Sequence, residues 1–107
     1  MNFLTKTATF CMLSFAASPA AALPAETCAV LSEGAGHIMD ARQQGIPVGA
    51  LLAVVEPTGD DQSVSDLYTA MIDDAYSWPQ FYGEAARAQA SQEFAAEIYT
   101  VCRSEGV

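Results

Sequence analysis

Apolar side chains recur at helical spacing between residues 26 and 44. They lie three and four residues apart at Cys28, Leu31, Ala35, Ile38 and Met39. Such spacing places side chains on one face of an α-helix. The stretch "RQQGIP" that follows is a stop signal, because Gly45 can adopt a left-handed backbone and Pro47 cannot continue a helix. The pattern predicts a first helix over residues 26–44.

Two further segments show the same spacing. Residues 63–77 place six side chains on one face: Val64, Leu67, Tyr68, Met71, Ile72 and Ala75. This segment ends before Pro79, which disfavours helix at the preceding residue. Residues 84–103 are predicted to be a long, alanine-rich helix. Its inward face is Ala90, Phe94, Ile98, Val101 and Cys102.

The segment 48–55, "VGALLAVV", is apolar nearly all round. Periodicity cannot distinguish a short buried helix from a strand here. Because Ala and Leu favour helix and the chain offers no second strand, we interpret it as a short central helix. The prediction is an all-α fold, a compact four-helix domain whose neighbouring helices run antiparallel. If one face of 48–55 stays exposed, that face is a partner or self-association surface.

Residues 1–22 have the pattern of a signal peptide. Lys6 is followed by an apolar run of about 10 residues and then by Ala20 and Ala22, which suit cleavage before Leu23. The run is too short to cross a bilayer, which needs about 20 residues. We therefore expect no stable membrane anchor, a periplasmic or secreted location and a single mature domain over residues 23–107.

Cleavage leaves two cysteines, Cys28 and Cys102. An even cysteine count in an exported chain indicates a disulfide. Only one pairing is available within the mature chain, and it ties the start of the domain to its end. The chain has no C-x-x-C motif, which argues against a redox-active dithiol.

The chain is strongly acidic, with a net charge of −9. Loss of Lys6 leaves thirteen acids against three arginines, a charge of −10. This charge disfavours binding to nucleic acid or anionic membranes. It favours a basic protein partner, or serves solubility alone.

Few residues in the sequence suggest a catalytic or metal-binding site. Glu33, His37 and Asp40 share one side of the first helix, an arrangement that suits a metal but is also an ordinary solvated face. Without a second histidine we predict no metal and no cofactor. No nucleophile motif is visible, so we predict that the protein is not an enzyme.

The loop "WPQFYG" concentrates aromatic side chains. Trp78, Phe81 and Tyr82 lie close together, with Tyr76 just before them. Aromatic residues are enriched at binding hot spots, so these four are candidate partner contacts. The alternative is that the rings cover the small core.

The order Cys28, "RQQG" at 42–45, "AYSWP" at 75–79 and Cys102 resembles a family of short exported proteins of Gram-negative bacteria and their phages. The shared pattern is Cys, R-Q-x-G, A-Y-x-x-P and Cys. The resemblance implies export and a helical, disulfide-bonded domain. It implies no activity and no site residue.

Together these features predict a small exported binding or accessory module. The alternative is a periplasmic acid-stress chaperone. Carboxylates generally protonate near pH 4, so acid would change the chain from strongly negative to modestly positive and release apolar surface.

Overall fold

The computed structural model describes residues 23–55 and 62–105. The predicted signal peptide, residues 1–22, lies outside the described residues. The described ranges form four helices: α1 (Ala25–Gln43), α2 (Val48–Val55), α3 (Gln62–Tyr76) and α4 (Glu84–Glu105). These bounds agree within two residues with those predicted from the apolar spacing. The all-α fold is confirmed, and segment 48–55 is helical.

Helix α1 lies at the centre of the domain and packs antiparallel to α4. The Ser32 hydroxyl, on α1, donates to the Ala95 carbonyl of α4 at 2.8 Å. At Gly36 an added Cβ atom would lie 3.7 Å from the Ala95 Cβ, which is ordinary van der Waals contact. The crossing therefore has room for a methyl group at this position.

Helix α3 packs on a different side of α1 and runs in the same direction. Gly34 lies beside Tyr68, whose ring would be 3.4 Å from an added Cβ. One end of α3 meets the end of α1, where the Tyr76 hydroxyl donates to the Ile46 carbonyl at 2.6 Å. The short α2 reverses the chain between these two helices, which explains their parallel order.

The core consists of apolar side chains from α1, α3 and α4. Its members on α1 are those that the spacing predicted, and Met71, Ile72 and Ala75 contribute from α3. Phe94 is fully buried among them. Burial of one such side chain stabilises the fold by about 1.5–3 kcal/mol.

The predicted disulfide is present between Cys28 and Cys102, with an S–S distance of 2.05 Å. Both cysteines are fully buried. Beside them, the Leu23 amide donates to the Cys102 carbonyl at 3.4 Å, and the Arg103 guanidinium donates to the Leu23 carbonyl at 3.0 Å. The first described residue is thus held against the last turns of α4.

Three details differ from the sequence-based expectation. Val64 was expected in the core but is 45% exposed; it lies in the first turn of α3, beside Val54 and Val55 of α2. Val101 is half-buried. The expectation that 48–55 is a central helix is wrong, since α2 lies on the outside of the domain and none of its residues is buried.

Candidate functional site

Helix α2 is an apolar element that the rest of the fold covers only in part. Its sequence "VGALLAVV" contains no polar side chain, and a helix that is apolar all round normally lies inside a protein or a membrane. Leu51, Leu52 and Val55 pack against the core. Val54 is 70% exposed, and Val48 is also exposed. The helix is therefore covered on one side only.

An open cleft of about 440 Å³ lies between α1, α2 and α3. We call it the apolar cleft, and none of the described residues that line it is charged. They are Ile38, Ala41, Ile46, Ala50, Leu51, Val54, Val55, Tyr68 and Ile72. A recess of about 310 Å³, lined by Val54, Val55, Val64 and Tyr68, continues from it. Clefts of this size and composition are typical of ligand-binding surfaces.

The turn between α1 and α2 positions one end of the cleft. Gly45 has φ of +83°, the left-handed conformation that its place after the helix predicted. The Ile46 amide then donates back to the Ala41 carbonyl at 3.0 Å, which holds the Ile46 side chain at the cleft. Tyr76 fixes the same turn from α3 through its hydrogen bond to Ile46.

Arg42 and Tyr76 contact each other next to this turn. The guanidinium carbon of Arg42 lies 5.3 Å from the centroid of the Tyr76 ring, within cation–π range. Burial raises the pKa of the Tyr76 phenol above its ordinary value, and the neighbouring Arg42 charge partly opposes that rise. The phenol is therefore protonated at neutral pH and can donate to Ile46.

The structure separates the four aromatic candidates into two pairs. Tyr76 and Trp78 are half-buried and pack against the core, where Trp78 makes an edge contact with Phe94 at 5.5 Å between ring centroids. Phe81 is 38% exposed and Tyr82 is 95% exposed. The second pair is more exposed, but only Tyr82 presents most of its side chain to solvent.

Gln43 holds the aromatic loop in place, a role that the sequence reasoning missed. Its side chain is buried. The amide donates to the Pro79 carbonyl at 2.9 Å, and the amide oxygen accepts from the Phe81 backbone at 2.8 Å. Its neighbour Arg42 donates to the Trp78 carbonyl at 2.9 Å. These bonds satisfy loop backbone groups that would otherwise need water.

The solvated side of α1 forms a second, shallower cleft with α4. Glu33, His37 and Asp40 line it, and its volume is about 400 Å³. Asp40 accepts a hydrogen bond from the buried Ser91 of α4, which joins the two helices. Among the described residues, no group of three His, Cys, Asp or Glu side chains is placed to hold a metal ion.

Comparison with known proteins assigns no relatives to this chain. It matches no protein-family model, no curated protein and no solved structure. Within the part of the chain that the structure describes, no helix is both long enough and apolar enough to span a bilayer.

Proposed function

We propose that this protein is a small exported, disulfide-bonded helical module that binds a protein partner at the apolar cleft. One observation carries the proposal: α2 is apolar all round, yet none of its residues is buried. Leaving such a helix in water costs free energy in proportion to its exposed apolar area. A partner that covers it recovers that free energy on binding.

Export is part of this proposal. The leader pattern of residues 1–22 and the even cysteine count of the remaining chain support it, and the Cys28–Cys102 bond is of the kind that persists outside the cytosol. We propose an accessory rather than a catalytic role.

The aromatic loop provides a second proposed contact. Phe81 and Tyr82 are exposed, and rigid rings give contact area at little entropic cost. Trp78 and Tyr76 contribute indirectly, because their packing against the core fixes the position of Phe81 and Tyr82. The cleft remains the stronger candidate, since it combines concave shape with a continuous apolar lining.

The acid-stress chaperone remains the alternative, because uncovered apolar surface on an acidic chain suits the binding of unfolded clients. The two proposals differ in their pH dependence. A constitutive module binds its partner at neutral pH, whereas the chaperone binds clients only after acidification.

Site-specific photo-crosslinking in expressing cells tests the proposal. A photoreactive phenylalanine analogue is placed at Val54, and separately at Val30 and Tyr82. Val30 is the matched control, because it is a valine on a helix with 62% exposure against 70% for Val54, and it does not line the cleft.

The proposal expects an adduct of one discrete mass from Val54 at neutral pH and none from Val30. An adduct from Tyr82 would add the aromatic loop to the interface. If Val54 gives no adduct, or only the same smear as Val30, the cleft is not a binding surface. Adducts that form only below pH 4 favour the chaperone.

A further inference from the structure

We infer that the occupant of the apolar cleft is an α-helix of another protein, apolar on one face and rich in Lys or Arg on the other. The inference rests on the proposed function and specifies the partner's chemistry. Three observations lead to it: the shape of the cleft, the secondary structure of its walls and the distribution of charge around it.

The walls of the cleft favour a helix over an extended peptide. An extended peptide binds by adding to the open edge of a sheet, and the described ranges contain helices but no strand. Helical walls offer no free backbone edge, because their N–H and C=O groups bond within each helix. The cleft and its recess share Val54, Val55 and Tyr68, so together they form one groove along α2. An amphipathic helix fits such a groove with its apolar face.

The charge pattern favours cations on the other face of that helix. Neither α2 nor the turn before it carries a charged residue. Helix α3, which forms a wall of the cleft, carries three exposed carboxylates, Asp66, Asp73 and Asp74. Arg42, the cation nearest to the turn, already contacts Tyr76 and Trp78. None of the three carboxylates lines the cleft or its recess, so a bound helix has its apolar face against neutral walls and its outer face in the field of a chain whose net charge is −9.

The same charge argues against a second copy as the occupant. Each chain has a net charge of −9, and like charges of this size oppose association at moderate ionic strength. A cationic partner is instead attracted, and its association rate rises as salt falls.

Three synthetic peptides of about 14 residues test the inference on the mature chain with its disulfide intact. One has Leu at i, i+3, i+4 and i+7 positions and Lys elsewhere. The second replaces each Lys with Glu. The third scrambles the first, which keeps its composition but destroys the apolar face. Binding is measured by fluorescence anisotropy at low and at physiological salt.

Two protein variants locate the binding. Val54→Arg introduces bulk and charge at the cleft, and Val30→Arg makes the same change at a similarly exposed position elsewhere. Circular dichroism confirms that both fold. We expect the Lys peptide to bind at least tenfold more tightly than the Glu and scrambled peptides. Val54→Arg should weaken binding at least tenfold, and Val30→Arg less than twofold.

The outcomes distinguish failure of this inference from failure of the proposed function. If the Glu peptide binds as well as the Lys peptide and both depend on Val54, the charge inference is wrong and the cleft remains a binding surface. If the two variants bind the Lys peptide equally, or no peptide binds, the helix-in-cleft inference is wrong, while the crosslinking result still decides the proposed function. A dimer by sedimentation that Val54→Arg dissociates would replace the inferred partner with a second copy.

Discussion

Reduction of the Cys28–Cys102 disulfide should destabilise the domain by about 4 kcal/mol. The two cysteines are separated by 74 positions. In the chain-entropy model, a cross-link over this distance lowers the entropy of the unfolded chain enough to contribute about 4 kcal/mol at 25 °C. A domain of about 85 residues has a total stability of only about 4–13 kcal/mol. The bond should therefore contribute a large share of the total.

Urea denaturation followed by circular dichroism measures the effect. With a slope of about 1 kcal/mol per molar urea for a small chain, the reduced protein should unfold at a urea concentration about 4 M lower, or be unfolded without urea. Reduction of the native chain is the cleaner perturbation, because Cys28→Ala with Cys102→Ala would also leave a cavity among fully buried side chains.

Burial of the bond gives a kinetic check. Both cysteines have no exposed surface, so dithiothreitol should reduce the folded protein slowly and the urea-unfolded protein quickly. A shift of the reduced midpoint by less than about 1 M would refute the reasoning. It would mean that the ends of the unfolded chain already stay close without the bond.

Further predictions follow from other contacts. Gln43→Ala should destabilise the fold by about 2–3 kcal/mol, because it leaves loop backbone groups without a hydrogen-bond partner. The same change at its exposed neighbour, Gln44→Ala, should alter the urea midpoint little. Equal effects of the two variants would contradict the role of Gln43 in holding the loop. Gly36→Ala should be neutral or stabilise the fold by up to about 1 kcal/mol through its higher helix propensity. Gly36→Leu should force α1 and α4 apart and lower the thermal midpoint. An unchanged midpoint for the Leu variant would mean that the two helices are not closely packed at this crossing. Tyr76→Phe should cost about 1 kcal/mol by removing the bond to Ile46, and an unchanged urea midpoint would show that this bond does not hold the turn. On titration from pH 7 to 2, the chaperone alternative expects increased binding of an apolar dye with helix retained, and constant dye binding would exclude it.

The sequence predicts the helices well because their signals are local. Gly45 and Pro47 end α1, and Pro79 follows the end of α3. The spacing of α1 correctly predicts its buried face, and the cysteine count predicts the disulfide. The helix signals act within a few residues of each other, and the cysteine count leaves only one possible disulfide.

The position of α2 could not be predicted in the same way. A segment that is apolar all round has no polar side to indicate where solvent lies, so whether it is covered depends on the lengths and directions of the other helices. The burial of Gln43 could have been predicted from the sequence. It continues the series Leu31, Ala35 and Met39 at four-residue steps, which places its amide on the buried face. Its loop partners, however, are determined only by the tertiary fold.

The covalent bond between the two ends of the domain also makes residues 28–102 a closed ring. Cleavage of any one peptide bond within that ring opens it, but both fragments stay joined through Cys28 and Cys102. A protease must therefore cut this region twice before it can release a piece. A single nick leaves one molecule that keeps the same chain ends together and can close again around the same core.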